Sequence, residues 1–185
     1  MATDILMQSA KEDWLTPEEI WKPAQELMGG IDLDPCAEES TGEQNIPAIM
    51  HFTRIDNGLQ RAWLFPSCLP TRVFMNPPYN KNQDHAKFVE KLLLEYAQGH
   101  VRYAVVLLAA RTETSWYRSL GHFPRCHVDH RLKFLLPSGE PGGTATFPSV
   151  VFGLGMTNAE FYNAYHNLGE VVVRYYPVDY KGKRS

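Results

Sequence analysis

The chain has 185 residues, 44% of them hydrophobic and 21% charged, and a formal net charge of −3. These values are typical of one globular domain, and the chain has neither a membrane-length apolar run nor the basic-then-apolar start of a signal peptide. Its three widely spaced cysteines argue against a disulfide framework and a zinc site and favour a reducing cytoplasm, while the negative charge requires any nucleic-acid binding to use a local basic patch.

The first predicted elements are a helix and a short strand. Thr16–Glu19 combines a threonine N-cap, a proline at the first helical position and a glutamate at the capping-box position. Apolar residues then recur at helical spacing until Gly29–Gly30. Residues 31–34 are predicted to form a strand that ends at Pro35, and residues 51–54 to form a second strand.

The rest of the chain continues to alternate strands with helices. Strands are predicted at 73–75, 101–110, 128–135, 149–154 and 171–176, and helices at 84–96, 114–120 and 157–168. The run 101–110 is nearly all apolar, which favours a central parallel strand covered on both faces. The Gly- and Pro-rich segment 137–146 is predicted to be a surface loop. The pattern predicts a single α/β domain over residues 1–185, with a doubly wound, mostly parallel sheet.

The most informative motif is Asn76-Pro77-Pro78-Tyr79, directly after the predicted strand 73–75. An amine conjugated to a ring is a poor nucleophile, and two acceptors beside its hydrogens would localise its lone pair. The Asn76 side-chain oxygen and the Pro77 carbonyl can be these acceptors, because consecutive prolines fix the backbone and lack N–H groups. Tyr79 offers a face on which a flipped-out base can stack. The motif therefore indicates methyl transfer onto such an amine, with a simple strand-ending turn as the alternative.

Asp34 and Asn76 both follow predicted strands, and open α/β sheets bind ligands beyond the carboxyl ends of their strands. We therefore expect a methyl-donor pocket near Asp34 and an acceptor pocket at Asn76. The expected donor is S-adenosylmethionine, with in-line transfer that depends on orientation and on lone-pair localisation rather than on a strong general base.

Seven short motifs occur in order along most of the chain, from Asp13 to Gly155. They are Asp13-Trp14-x-Thr16-Pro17, Leu33 to Ala37, Phe52 to Leu59 with Trp63, Asn76 to Tyr79, Ala110 to Trp116, Arg131 to Phe134 and Phe147 to Ser149. In this ordered set the chain resembles the phage-type DNA N6-adenine methyltransferases, a compact branch of the Dam-like enzymes. The resemblance implies a Rossmann-like methyltransferase fold, S-adenosylmethionine as donor, adenine in double-stranded DNA as acceptor, and a phage or prophage source in a bacterial cytoplasm.

The same resemblance implies roles for individual residues. The catalytic motif would be Asn76, Pro77, Pro78 and Tyr79, and the cofactor site would use Trp14, Thr16, Pro17, Asp34, Pro35, Cys36 and Asp56. Three of these residues have simpler alternatives, because Trp14 could be core packing only, Asp34 could cap a turn and Asp56-Asn57-Gly58 is an ordinary turn signal. One feature departs from the broader class, since Glu38-Glu39-Ser40 stands where a glycine-rich loop is usual.

The candidates for DNA phosphate contacts are Arg111, Arg125, Arg131 and Lys133. Arg111 follows a predicted buried strand and could instead pair with Glu113. Arg131 and Lys133 alternate on a predicted strand and would share one face, although a solvated strand face would show the same pattern. A short target-recognition element is predicted within residues 124–145 or within residues 38–45, and the sequence does not decide between the two. No metal is expected, because His127 and His130 have no third ligand at a suitable spacing.

Two other functions remain open at this point. An amino-methyltransferase acting on RNA or on a protein glutamine needs the same acceptor geometry, but no large docking domain is evident. A non-catalytic nucleic-acid-binding relative would explain the missing glycine-rich loop. The intact Asn76, Asp34 and Trp14 motifs favour the DNA methyltransferase.

Overall fold

The computed structural model describes residues 15–39, 44–64, 70–79, 82–136, 138 and 140–174. Its helices are α1 (Glu18–Met28), α2 (Asp84–Ala97), α3 (Ser115–Ser119) and α4 (Asn158–Tyr165). Its strands are β1 (Ile31–Asp34), β2 (Ala48–His51), β3 (Thr71–Met75), β4 (Val101–Ala109), β5 (Arg125–Val128), β6 (Lys133–Leu135), β7 (Pro141–Thr144), β8 (Ser149–Leu154) and β9 (Gly169–Val172). Among these helices, none is long and apolar enough to cross a membrane.

Seven strands form one sheet in the order β2-β1-β3-β4-β8-β5-β9. The first four are parallel to one another, β8 is antiparallel to both β4 and β5, and β9 is antiparallel to β5. The predicted α/β class with a large, mostly parallel sheet is confirmed, and the topology is compatible with a Rossmann-like fold. β4 is central as expected, but it has a parallel neighbour on one side only.

Helices cover both faces of this sheet because its strands alternate their apolar side chains. On β3, Val73 and Met75 pack in a cluster with α2 and α3, whereas Phe74 packs in a second cluster with α1 and α4. Val105 and Leu107 of β4 also join the second cluster. The apolar run of β4 is therefore buried on both faces, as its sequence predicts.

The two helix starts differ in how well their capping signals predict the structure. Thr157 and Glu160 form the expected capping box at the start of α4. At α1 the predicted Thr16 cap is wrong: Pro17 is the N-cap, and no side chain caps this helix. The helix ends as expected, at Gly29 in the left-handed conformation with φ of 70°.

Four predicted strand or loop boundaries are wrong, and each depends on strand pairing that the local sequence pattern does not encode. The strand predicted at 171–176 begins instead at Gly169, where it pairs with β5. The second strand is Ala48–His51 rather than 51–54, because it pairs with β1 in that register. The predicted strand 128–135 is split between β5 and β6, which belong to different sheets. The predicted loop 137–146 contains β7, which pairs with β6 in a separate two-stranded sheet.

This small sheet is tied to the first described residues of the chain. Leu15 and Leu135 exchange two backbone hydrogen bonds, with N–O distances of 2.8 and 3.3 Å. The segment that leads into α1 therefore runs beside β6, and its position is set before the helix begins.

Candidate active site

Neighbouring strands bring the main candidate residues to the same edge of the sheet. Leu33 of β1 is opposite Val73 of β3, and Met75 of β3 is opposite Val106 of β4. The residues that follow β1 and β3 therefore leave the sheet side by side at its carboxyl edge. Asp34 ends β1 and Asn76 follows β3, so the sheet places these two side chains on adjacent strands.

The Asn76 amide has one end engaged and one end free. Its Nδ2 donates a hydrogen bond of 3.0 Å to Thr16 Oγ1, and Thr16 is 5% exposed. Within the part of the chain that the structure describes, Asn76 Oδ1 has no hydrogen-bond partner. The oxygen is thus available as an acceptor, which is the state that the predicted chemistry needs.

The two prolines continue this arrangement. Both of their peptide bonds are trans, and Pro77 is buried while Pro78 is exposed. Among the described residues, the Pro77 carbonyl accepts no backbone hydrogen bond. Since neither proline has an N–H, this stretch presents acceptors without competing backbone donors.

The Tyr79 ring is held on one face and at its hydroxyl. It stacks on the ring of His85, with centroids 4.5 Å apart and planes 16° apart. The Trp116 ring meets Tyr79 edge-on at 6.5 Å and His85 edge-on at 5.3 Å. The Tyr79 hydroxyl accepts a hydrogen bond of 2.6 Å from the backbone N–H of Ala109. With 37% of the residue exposed, Tyr79 is a fixed aromatic platform with accessible surface.

Asp34 is a buried carboxylate that lacks a cationic partner among the described residues. It is 4% exposed, and its Oδ1 accepts one hydrogen bond of 3.0 Å from the Cys36 N–H. Burial raises the pKa of Asp34 from 3.8 to about 7; the Cys36 hydrogen bond lowers this pKa and the neighbouring carboxylate of Glu38 raises it by a smaller amount, but burial outweighs both. The hydrogen bond matches the turn-capping alternative, but a buried acid with so little compensation also fits a positively charged ligand.

Pro35, Cys36 and Asp56 lie in two loops that pack against each other beside Asp34. The Asp56 carboxylate caps its own turn by accepting hydrogen bonds from Thr53 N and Oγ1, at 3.1 and 3.0 Å, which lowers the pKa of Asp56. Gly58 allows this turn to approach the loop after β1, since a Cβ there would lie 2.2 Å from the Pro35 carbonyl oxygen. Burial, aided by Asp34, raises the pKa of the Cys36 thiol, so this cysteine stays protonated.

Three of the four candidate phosphate-binding residues lie near one another. Arg111 pairs with Glu113 at 3.2 Å, as its alternative predicted, and also lies 5.3 Å over the Phe147 ring. The Arg131 Nη1 donates to the carbonyl oxygen of Thr146, at 2.9 Å, directly before Phe147. Lys133 is exposed on β6, whereas Arg131 precedes that strand and does not belong to it.

Arg125 lies apart from those three. It is half-buried at the start of β5, and its Nε is buried without a hydrogen-bond partner in the described structure. Its guanidinium approaches the Tyr117 hydroxyl, which places it against α3 rather than beside β6.

Trp14 lies outside the described residues. Across the described part of the chain, no group of three His, Cys, Asp or Glu side chains is arranged to hold a metal ion.

Two residues of this site were missed in the sequence. Asn45 donates from Nδ2 to the Thr16 carbonyl oxygen, at 3.0 Å, and so supports the segment that holds Asn76. No local signal marks this contact, because 29 residues separate its partners. His85 backs Tyr79 from the first turn of α2, and its position six residues after the motif could have suggested this.

A comparison with protein families agrees with this geometry. The family model described as DNA N-6-adenine-methyltransferase (Dam) matches residues 4–134, well over half of the chain. No curated protein matches the chain significantly.

The burial of Asp34 predicts an unusual pH dependence of stability. The pKa of Asp34 is about 7 in the folded protein and has its ordinary value of 3.8 in the unfolded chain. The neutral carboxyl therefore contributes its whole stabilisation below pH 3.8, and this stabilisation is lost as the pH rises through about 7. Asp34→Asn keeps an acceptor for the Cys36 N–H and cannot ionise. The quantity to compare is the unfolding free energy of Asp34→Asn minus that of the parent, measured by urea denaturation. We expect this difference to be about 2–3 kcal/mol larger at about pH 8 than at about pH 5. The exposed Glu90→Gln is the control, and an equal effect of Asp34→Asn at both pH values would contradict the argument.

Proposed function

Because the chain belongs to the DNA N-6-adenine-methyltransferase (Dam) family, we propose that it transfers a methyl group from S-adenosylmethionine to N6 of adenine in double-stranded DNA. The observation that carries the proposal is the Asn76 amide at the carboxyl edge of the sheet: its NH2 end is bound to Thr16, and its oxygen has no hydrogen-bond partner among the described residues. The resemblance to phage-type enzymes supports a phage or prophage source, with a role in regulation or in protection from restriction.

In this mechanism the acceptors act on the target amine. Asn76 Oδ1 and the Pro77 carbonyl oxygen accept the two N6 hydrogens and localise the nitrogen lone pair. Since Asn76 is already held through Nδ2 at 3.0 Å, little reorganisation is needed when the amine arrives. The proton becomes acidic as the nitrogen gains positive charge, so these two oxygens suffice without a strong base.

The target adenine must leave the base stack to reach Asn76. Tyr79 is the proposed surface on which the flipped base stacks, and such a contact is worth about 1–3 kcal/mol. One face of Tyr79 is covered by His85 at 4.5 Å, so the base would use the other face. The fixed ring thereby sets the plane in which the amine meets Asn76.

The residues at the end of β1 fit the proposed methyl donor. S-adenosylmethionine supplies a methyl carbon made electrophilic by a sulfonium, and the molecule also carries an ammonium group. The buried Asp34 carboxylate accepts a single backbone hydrogen bond of 3.0 Å and has no positive partner among the residues that the structure describes, so it would gain one from such a ligand. The residues proposed to hold the donor are Trp14, Thr16, Pro17, Asp34, Pro35, Cys36 and Asp56. Ala37 N donates to the Phe52 carbonyl oxygen at 3.0 Å, which orders the loop after β1 although it lacks the usual glycines.

The β6–β7 sheet is the proposed DNA-binding element, within the segment 124–145. A two-stranded ribbon fits the major groove of B-DNA. The exposed side chains of this ribbon include Lys133 and Thr144, and Arg131 and Arg111 lie at its base. Arg125 is less suited to this role because its side chain lies against α3.

The helices on both faces of the main sheet support the doubly wound arrangement.

Asn76→Ala tests the function directly. We expect methyl transfer from labelled donor to duplex DNA to fall by about 100-fold or more, because one of two acceptors is lost. Donor binding, measured by calorimetry, should change little, and the exposed Asn163→Ala of α4 should retain full activity. Near-normal transfer by Asn76→Ala would refute the mechanism, and transfer to RNA or protein but not to DNA would refute the proposed substrate.

Substitutions of Tyr79 separate stacking from hydroxyl chemistry. Tyr79→Ala should lower kcat/KM by about 10–100-fold through lost stacking. Tyr79→Phe should lower it by less than about tenfold, since it removes only the hydrogen bond with the Ala109 N–H. Steady-state kinetics on duplex DNA would show the difference, and equal losses would argue against stacking. The exposed Tyr162→Ala of α4 serves as the control.

The proposed DNA surface predicts a specific salt dependence. Lys133→Ala and Arg131→Ala should each weaken duplex binding and make the slope of log Kd against log salt shallower by about one. Fluorescence anisotropy over a salt series measures this. Arg102→Ala, exposed at the opposite end of β4 from Arg111, should leave the slope unchanged. If the slope were unchanged in both Lys133→Ala and Arg131→Ala, the β6–β7 sheet would not be the surface that binds DNA.

A further inference from the structure

We infer that Thr16 is a positioning residue for the reaction: its hydroxyl holds the NH2 end of Asn76, so that the amide oxygen faces the target amine. This inference rests on the proposed function. The Thr16 hydroxyl would have this role in addition to the proposed place of Thr16 beside the donor, because the hydroxyl contacts the Asn76 amide, and Thr16→Val keeps the rest of the side chain.

The geometry of Thr16 has no simpler explanation in the helix that follows. A threonine before Pro-Glu-Glu usually caps its helix, yet Pro17 is the N-cap of α1 and no side chain caps this helix. The Thr16 hydroxyl instead accepts the hydrogen bond from Asn76 Nδ2, across 60 residues of sequence. Since Thr16 is 5% exposed, water has little access to replace this partner.

Thr16 is itself held on both sides. The Asn45 Nδ2 donates to its carbonyl oxygen at 3.0 Å. The preceding residue, Leu15, pairs with Leu135 of β6. The following residue, Pro17, accepts from the Ile20 N–H at 3.0 Å at the start of α1. The hydroxyl is therefore fixed in space relative to β3, as a positioning group must be.

The orientation of an amide matters because its two ends differ. The oxygen accepts hydrogen bonds, whereas the NH2 group only donates them. If the Asn76 amide were reversed, its NH2 would face the N6 amine of adenine, donor to donor. A hydroxyl can donate as well as accept, and here the Thr16 hydroxyl accepts from the Asn76 NH2 group, so the orientation that exposes the oxygen is the one in which the part-buried NH2 group has its partner.

The test compares Thr16→Val, which keeps the shape and loses the hydroxyl, with Thr16→Ser, which keeps the hydroxyl. We expect Val to lower kcat by about 10–100-fold, with donor Kd and KM within about twofold, and Ser to restore kcat to within about threefold of the parent. The matched control is Thr71→Val. Thr71, the first residue of β3, is buried like Thr16, and its hydroxyl donates to the Trp63 carbonyl oxygen at 2.6 Å. That variant should lose stability and keep kcat.

The outcomes separate this inference from the proposed function. A higher donor Kd with normal kcat in Thr16→Val would show that the Thr16 hydroxyl acts on the cofactor. Full activity in both Thr16→Val and Thr16→Ser would show that the hydroxyl does not position Asn76. Either result overturns the inference. If the parent transfers no methyl group to DNA, the proposed function fails, and the side-chain amide signal of Asn76 in 15N NMR becomes the readout. That signal, identified by its loss in Asn76→Ala, should shift in Thr16→Val and return in Thr16→Ser. An amide signal that does not respond would overturn the positioning role on its own.

Discussion

The hydrogen bond between Asn76 and Thr16 joins two parts of the chain that must meet for the site to exist. β3 delivers the amide to the carboxyl edge of the sheet, but a strand end alone does not fix the side chain that follows it. The N-terminal segment supplies the missing partner at 3.0 Å. Because the partner is a hydroxyl on a buried threonine, the contact orients the amide without adding a charge beside it. A charged partner would perturb the electrophile that the proposed reaction brings to the same place.

Asp34 shows the cost of preparing such a site. Its burial raises its pKa to about 7, so the folded protein without ligand keeps an acid that would be more stable neutral or in water. Elsewhere on the same strand, Asp32 is also buried, but it receives Nη2 of Arg72 at 2.5 Å as well as the Arg72 backbone N–H. That pairing lowers the pKa of Asp32 despite burial. Two aspartates on one strand thus differ: Asp32 pairs with Arg72, whereas Asp34 has no cationic partner among the described residues, which agrees with the proposal that a ligand supplies one.

The parts of the fold that local patterns encode could be predicted from the sequence, and the parts that depend on distant partners could not. β3 and the motif at its exit follow from a short apolar run and two prolines. The capping box at Thr157 was predicted correctly, since all its atoms belong to one turn. The same signal failed at Thr16, because Asn76, far away in sequence, takes its hydroxyl. His85 lies only six residues after Tyr79, but the stacking of the two rings depends on how the first turn of α2 packs against the motif.

The pairing of Leu15 with Leu135 gives the proposed DNA ribbon and the catalytic amide a common support. β6 holds Leu15 by two backbone hydrogen bonds, and the next residue, Thr16, holds Asn76. Backbone hydrogen bonds tolerate only small changes in length, and the peptide unit between Leu15 and Thr16 is rigid. If β6 moves further than its hydrogen bonds with Leu15 can stretch, either Thr16 moves with it or those bonds break. The strand proposed to contact DNA through Lys133 is therefore linked through Leu15 and Thr16 to the amide proposed to meet the base. If both proposals hold, one small sheet supports the DNA-binding surface and the geometry of the reaction.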